Sequence, residues 1–290
     1  MSEKPRVPPP VALLVSIVAV STASILIRMS GAGPVAVAAY RLIFATLLLL
    51  PFVLRGGGPS RRRGIGGRGG LTLMAVGVVL AVHFASWISS LSFTSVASSV
   101  IFVHVDPIFV ALVSHFVFKE RISRRTVVGI VVAFVGVAII ALGDLGLGES
   151  NLYGDLLALV GALMLGIYIL SGRRIRQSLD LVTYVTPVYA TSAAVLTAGC
   201  LLTGTPLAPY PVQEYLIFLA IAVVPMIFGH TVYNWALRYV EAPVVSISLL
   251  GEPVGATLLA LLILKETPGL VTLFGGFVTL LGIYLSVNIQ

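Results

Sequence analysis

Apolar residues run along this chain in long unbroken blocks, not with the alternation of a strand or the three-to-four spacing of a half-buried helix. The blocks lie near 11–29, 35–54, 71–91, 96–118, 126–142, 152–171, 181–202, 215–237, 243–264 and 269–289. Each approaches the roughly 20 residues a helix needs to cross the hydrocarbon core of a bilayer. The gaps between them are short and polar. The longest, RGGGPSRRRGIGGRGG at 55–70, has nothing in it to build a core and reads as a solvated loop. The pattern predicts an all-α membrane protein of ten transmembrane helices. The first block, Val11 to Met29, follows Lys4 and Arg6. It is longer than the apolar core of a signal peptide and no A-x-A site directly follows it, so it is expected to remain as a span.

Composition agrees. Of 290 residues 58% are hydrophobic and 10% charged, with a mean hydropathy of +1.07, too little charge to cover a soluble surface. The net charge of +7 would suit nucleic acid, but its placement argues otherwise. With the N-terminus placed in the cytoplasm, fifteen of the eighteen Lys and Arg fall in inside segments, from Lys4 and Arg6 through Arg61–Arg63 and Lys119 to Arg173, Arg174 and Arg238. The outer side collects Asp144, Glu149, Glu214 and Glu266. By the positive-inside rule the expectation is a multi-pass protein of the cell (plasma or inner) membrane, both termini cytoplasmic. The single cysteine, Cys200, excludes an internal disulfide and a thiolate metal site.

Sliding the chain by 146 residues lays DPIFVALVSHFVFKERISRRTVVGIVVAFVG on EPVGATLLALLILKETPGLVTLFGGFVTLLG without a gap. Pro107 meets Pro253, Lys119-Glu120 meets Lys265-Glu266, and Gly129 and Gly136 meet Gly275 and Gly282. Asp106 meets Glu252, acid for acid. Each half holds five spans, an odd number, so the second half enters the membrane from the opposite side. The expected architecture is two inverted five-helix repeats, 11–142 and 152–289. Two such halves can exchange conformations so that one gap opens as the other closes.

The two copies, DP…KE…G-x6-G and EP…KE…G-x6-G, each preceded by a small-residue turn (LSFTSVASS; RYVEAPVVS), resemble the EamA family of the drug/metabolite transporter superfamily. The resemblance covers nearly the whole chain. It implies the ten-helix fold and transport of a small molecule across the bilayer, and says little of which one. The family and its relatives handle amino acids, drugs, sugar phosphates and nucleotide sugars.

Ionisable and polar groups inside the spans are the candidate site, since such groups are costly in lipid and usually face the bundle interior. Glu252 and Asp106 each fall about ten residues into a span. They read either as proton-coupling or substrate-amine groups, or as acids that satisfy carbonyls freed by the following proline. Spacing puts His83, Trp87 and Ser90 on one helix face, and His230, Tyr233 and Asn234 on another. These faces suit a cavity holding an organic solute, with interhelical packing as the alternative. Ser248, Glu252 and Gly255 share a further face. Tyr168, and Tyr184 with Tyr189, are candidates for the path. Arg41 would pair with an acid, hold a substrate carboxylate or snorkel outward. His104, two positions from Asp106, points to another face and reads as structural, as does His115. Gly251-x-x-x-Gly255 marks close helix packing or dimerisation.

No H-E-x-x-H, G-x-S-x-G or Walker A motif is present. Gly143-Asp144 and Gly154-Asp155 look like intramembrane aspartyl-protease motifs but fall toward the outer loop. The reading is a carrier and not an enzyme, with no cofactor and no metal. It would export a small organic metabolite, an amino acid or amphipathic amine first and a sugar phosphate or nucleotide sugar second, with proton coupling as a hypothesis. A channel or membrane-embedded enzyme ranks below these. The expected partners are that small molecule and the lipid bilayer, not nucleic acid, with the chain a monomer or weak homodimer.

Overall fold

The computed structural model of the chain describes residues 7–55, 67–110, 123–145 and 149–286, with Pro5 and Val113. Most of the Arg/Gly-rich loop, His115 and the Lys119-Glu120 pair lie outside the described residues. All regular structure among the described residues is helical. In chain order the helices are α1 (Pro9–Ser21), α2 (Ala23–Met29), α3 (Pro34–Arg55), α4 (Arg68–Ser90), α5 (Val96–Val103), α6 (Arg124–Leu145), α7 (Glu149–Arg176), α8 (Leu181–Thr203) and α9 (Val212–Ile221). A π-helical segment, Ala222–Thr231, leads on to α10 (Val232–Ala236). Then come α11 (Ala242–Ser248), α12 (Gly251–Leu259), a second π-helical segment at Ala260–Leu264, and α13 (Leu270–Ser286).

Among the described residues, seven continuous stretches are long and apolar enough to cross a bilayer: Pro9–Met29, Pro34–Arg55, Arg68–Ser90, Ser150–Arg176, Leu181–Thr203, Val212–Ala236 and Val244–Leu264. Val96–Val110, Val127–Gly143 and Leu270–Leu285 are shorter apolar helices. Large apolar side chains lie exposed along these helices, among them Leu14, Leu47, Phe52, Val131, Leu202, Phe274 and Phe277. Surfaces of this kind face lipid, and the chain is an integral, multi-pass membrane protein.

Local chemistry sets the ends. Ser95 Oγ accepts the Ser98 N–H at 3.0 Å and starts α5. Asp180 Oδ1 does the same for Thr183 at 2.9 Å and starts α8. Gly204, at φ 69°, closes α8 in the left-handed conformation that a side chain would oppose.

Two helices are broken in mid-span at matching places. α5 stops at Val103 and helix resumes at Asp106. α11 stops at Ser248 and α12 begins at Gly251. The freed backbone is tied up by tight i→i+3 bonds, Val105 N to Phe102 O at 3.3 Å and Glu252 N to Leu249 O at 2.8 Å. The backbone thus makes those bonds itself, and the carboxyl groups of Asp106 and Glu252 are left for partners across the bundle.

Glycines set the closest approaches. A Cβ on Gly136 would stand 2.7 Å from Gly275 O, and one on Gly282 the same 2.7 Å from Gly129 O. The backbones of α6 and α13 therefore touch through two matching contacts. Gly251 and Gly255 lie against Ile17 and Ser21 of α1, so this G-x-x-x-G packs within the chain. Gly229 in the first π segment meets Val20, and Ser16 Oγ donates to Gly229 O at 3.0 Å. α1 is thereby held against both segments that carry polar groups of the second half.

Candidate functional site

Where α1 to α5 meet α7, the first π segment, α10 and α12, a cavity of about 20 Å³ lies inside the bundle. Its walls are Val20, Ala23, Arg41, His83, Trp87, Val103, His104, Leu165, His230, Tyr233, Leu249 and Glu252. That volume is near what one water needs and far below that of a pocket for an organic solute. The cavity is closed down in this conformation.

Its aromatic wall is continuous. The His83 ring lies parallel to Trp87, with centroids 6.1 Å apart and planes at 9°. The His83 and His230 rings are 6.3 Å apart, with Phe84 5.0 Å from His230. His83 Nδ1 is 2.9 Å from Gly161 O. A carbonyl only accepts, so Nδ1 carries the proton. The Tyr233 hydroxyl is 2.6 Å from His230 Nδ1.

The charged wall crosses between the broken helices. His104 Nδ1 donates to Val100 O at 2.8 Å, and its Nε2 lies 3.3 Å from Glu252 Oε2. In return, Ser246 Oγ, on α11, donates to Asp106 Oδ2. Each break thus offers its acid to a polar group on the other broken span. Asp106 is fully buried and stands behind the cavity wall.

Arg41 is 0% exposed, so it does not snorkel. Its guanidinium carbon lies 4.2 Å from the Phe84 ring centroid and 6.0 Å from that of Trp87. Its Nε donates to Met226 Sδ at 3.3 Å. Neither Nη1 nor Nη2 has a hydrogen-bond partner among the described residues.

Of the residues singled out in the sequence, Arg41, His83, Trp87, His230, Tyr233 and Glu252 come together on this cavity. Others lie behind it. Ser90 Oγ bonds Ser99 Oγ at 2.6 Å and joins α4 to α5. Asn234 Nδ2 donates to Tyr168 OH at 2.9 Å, joining α10 to α7. Tyr189 OH lies 3.1 Å from Thr231 Oγ1, and Tyr184 is fully buried. Ser248 Oγ turns back to Val244 O at 2.7 Å. The first four spans of the first half all line the cavity, but α8, in the second half, supplies no wall residue. The residue that sequence reasoning missed is His104. Counting i, i+2 on an unbroken helix sends it away from Asp106, but the break at 104–105 turns it toward Glu252.

The two ends of the bundle are latched. At one end Glu266 Oε1 accepts the Val96 N–H at 2.6 Å, and its Oε2 lies 3.5 Å from Arg28 Nη2. Nearby, Glu214 accepts from Ser30 Oγ at 2.6 Å and Gly31 N at 2.7 Å. At the opposite end Arg173 Nη1 donates to Leu237 O at 2.8 Å, and Arg176 Nε to Asn234 O at 3.1 Å.

The model of the EamA-like transporter family matches this sequence twice, over residues 10–142 and 152–288. Two proteins of Archaeoglobus fulgidus, each named an uncharacterized transporter, are similar to it. One is 25% identical over 257 residues, 87% of each chain. The other is 25% identical over 276 residues, 95% of this chain and 94% of the relative. An uncharacterized transporter of Bacillus subtilis is 25% identical over 199 residues, 68% of each chain. A solved crystal structure with 19% identity covers 96% of both chains at a TM-score of 0.68, a likeness of fold.

Proposed function

The chain belongs to the EamA-like transporter family, and from that premise we propose a ten-helix secondary transporter of two inverted five-helix repeats, moving a small organic metabolite by alternating access. That it is a membrane transporter and not an enzyme follows from the family and its relatives. The observation that carries the mechanism is the pair of mid-span breaks, at 104–105 and 249–250, meeting around the cavity with each acid bonded to the other span. Discontinuous helices facing one another in the middle of the membrane suit a site opened first to one side and then to the other. The matched glycine contacts of α6 and α13 support a two-fold relation between halves, and neither helix supplies a residue of the cavity wall.

In this reading both termini face the cytoplasm of the cell membrane and export is the working direction. The aromatic wall holds an organic solute, an amino acid foremost, by stacking and hydrogen bonds. Coupling to protons runs through Glu252 and His104, whose contact at 3.3 Å requires one proton between two atoms that are otherwise both acceptors. A substrate ammonium group that takes the Glu252 carboxylate as its counter-ion would keep Glu252 ionised and leave His104 Nε2 without it, so that the proton departs, giving exchange.

The test is counterflow. Proteoliposomes loaded with unlabelled L-leucine or L-phenylalanine should transiently accumulate the labelled amino acid against its gradient, and an imposed pH gradient should drive net flux. Flux without accelerated exchange marks a channel and refutes the carrier. Exchange indifferent to the pH gradient removes proton coupling alone.

A further inference from the structure

We propose that Arg41 is the docking group for a carboxylate of the transported molecule, so that the cavity selects organic acids and amino acids and rejects bare amines. This deepens the transporter reading and rests on it.

Arg41 is fully buried and lines the cavity, yet neither Nη1 nor Nη2 meets an acceptor among the described residues. Those two nitrogens carry four N–H donors. Buried donors without partners are among the costliest features a fold can retain, the more so on a cation within the membrane. The existing contacts do not answer that cost. The guanidinium carbon lies over the Phe84 ring at 4.2 Å and near that of Trp87 at 6.0 Å, and Met226 takes the Nε–H. What they leave over is the two-pronged edge, the part of arginine that matches a planar oxyanion.

Glu252 shares the cavity and acts on Arg41 across it, but not as a direct partner. No ion pair among the described residues involves Arg41. Glu252 is committed to His104, whose Nδ1–H already goes to Val100 O, so one proton must lie between Nε2 and Oε2. Whichever atom holds it, the pair is neutral as a unit. Asp106 stands off the wall and is held by Ser246. The cavity is therefore left with one positive charge and a forked donor set. That charge repels an amine and receives a monoanion. A carboxylate fits better than a phosphate, because Arg41 is the sole Lys or Arg on the wall and a phosphate dianion calls for more.

The chain carries its own reporter. Of its two tryptophans, Trp87 lies beside the Arg41 guanidinium. A Trp235→Phe variant of the full chain, purified in detergent, isolates its fluorescence. The probes are matched in size: 3-phenylpropionate, L-phenylalanine, L-phenylalaninamide, 2-phenylethylamine and phenyl phosphate. The two carboxylates should change Trp87 emission saturably, while amide and amine bind at least ~30-fold more weakly, about 2 kcal/mol. Arg41→Gln should weaken the carboxylates on the order of 100-fold, and Arg41→Lys should recover part of that. Amine or amide binding as well as the acids overturns the proposal. So does an Arg41→Gln chain that binds the acids like the parent, no saturable carboxylate response, or phenyl phosphate binding more tightly than the carboxylates. The probe series on the parent stands even where a variant fails to fold. Binding is read without vesicles, so loss of counterflow would sink the carrier reading and leave this site standing. Counterflow without carboxylate preference would do the reverse.

Discussion

Glu252 and His104 should behave as a single unit in the stability of the fold. The perturbation is Glu252→Ala, His104→Ala, and the two together. At the observed 3.3 Å, two opposite charges in an effective dielectric of about 20 attract by roughly 5 kcal/mol. Desolvation of two buried groups cancels much of this, so the pair adds little net stability. Removing one member is different, because it strands the other. Each single change should cost about 3 kcal/mol. The double change should cost about 2 kcal/mol less than the sum, since it leaves no orphan. Denaturant unfolding of the purified chain in one detergent, followed by near-ultraviolet circular dichroism, measures all four corners. A distant pair, Glu252→Ala with Glu266→Ala, should add to within about 0.5 kcal/mol and serves as the control. If the His104/Glu252 changes also add to within about 0.5 kcal/mol, the bond across the broken helices carries no energy and the account of the charged wall falls.

Two further outcomes are expected. Gly282→Ala would bring a Cβ to 2.2 Å from Ala133 N, a backbone atom that cannot swing aside. It should destabilise the chain by about 1–3 kcal/mol, whereas Gly199→Ala on α8, with its nearest neighbour at 3.9 Å, should not, and thermal unfolding compares them. In a Cys200→Ser background, an impermeant thiol reagent should label Arg61→Cys only from the cytoplasmic side and Pro206→Cys only from the outer side. The opposite pattern reverses the proposed orientation.

The sequence made the helical, membrane-spanning class plain, because a long apolar block has few other structures open to it in lipid. It also marked most of the cavity wall. His83 with Trp87, and His230 with Tyr233, share faces on regular or nearly regular helices, so periodicity alone aims them. It could not tell wall from mortar. Ser90, Asn234 and Ser248 have the right spacing, yet each gives its donor to a neighbouring helix or its own backbone. Whether a hydroxyl faces a cavity or a partner depends on helix separation, which no single helix encodes. Arg41 left three fates open, and only the surrounding helices decide among them. The sharpest loss was His104. Proline at 107 signalled trouble in that span, but not that the helix would stop four residues earlier and turn a side chain toward Glu252. The first π segment around Pro225, which carries His230, left no mark in the hydrophobic pattern either.

The crossed acids at the two breaks also say where the work of switching falls. If the halves rock about an axis through that crossing, groups on the axis stay put while groups far from it sweep the furthest. Glu266 lies fourteen residues beyond Glu252, which at 1.5 Å per residue is about 20 Å along the helix. A rotation of about 10° carries such a group through roughly 3–4 Å, enough to break a hydrogen bond. The bond from Glu266 to Val96, at 2.6 Å, would part on every cycle, while His104 and Glu252 would scarcely feel the motion. The centre is thus free to answer only to its occupant, and the cost of turning over is set at the rims. Rate and selectivity become separately adjustable, the first by latches between the halves such as Glu266 and Glu214, the second by the side chains at the pivot.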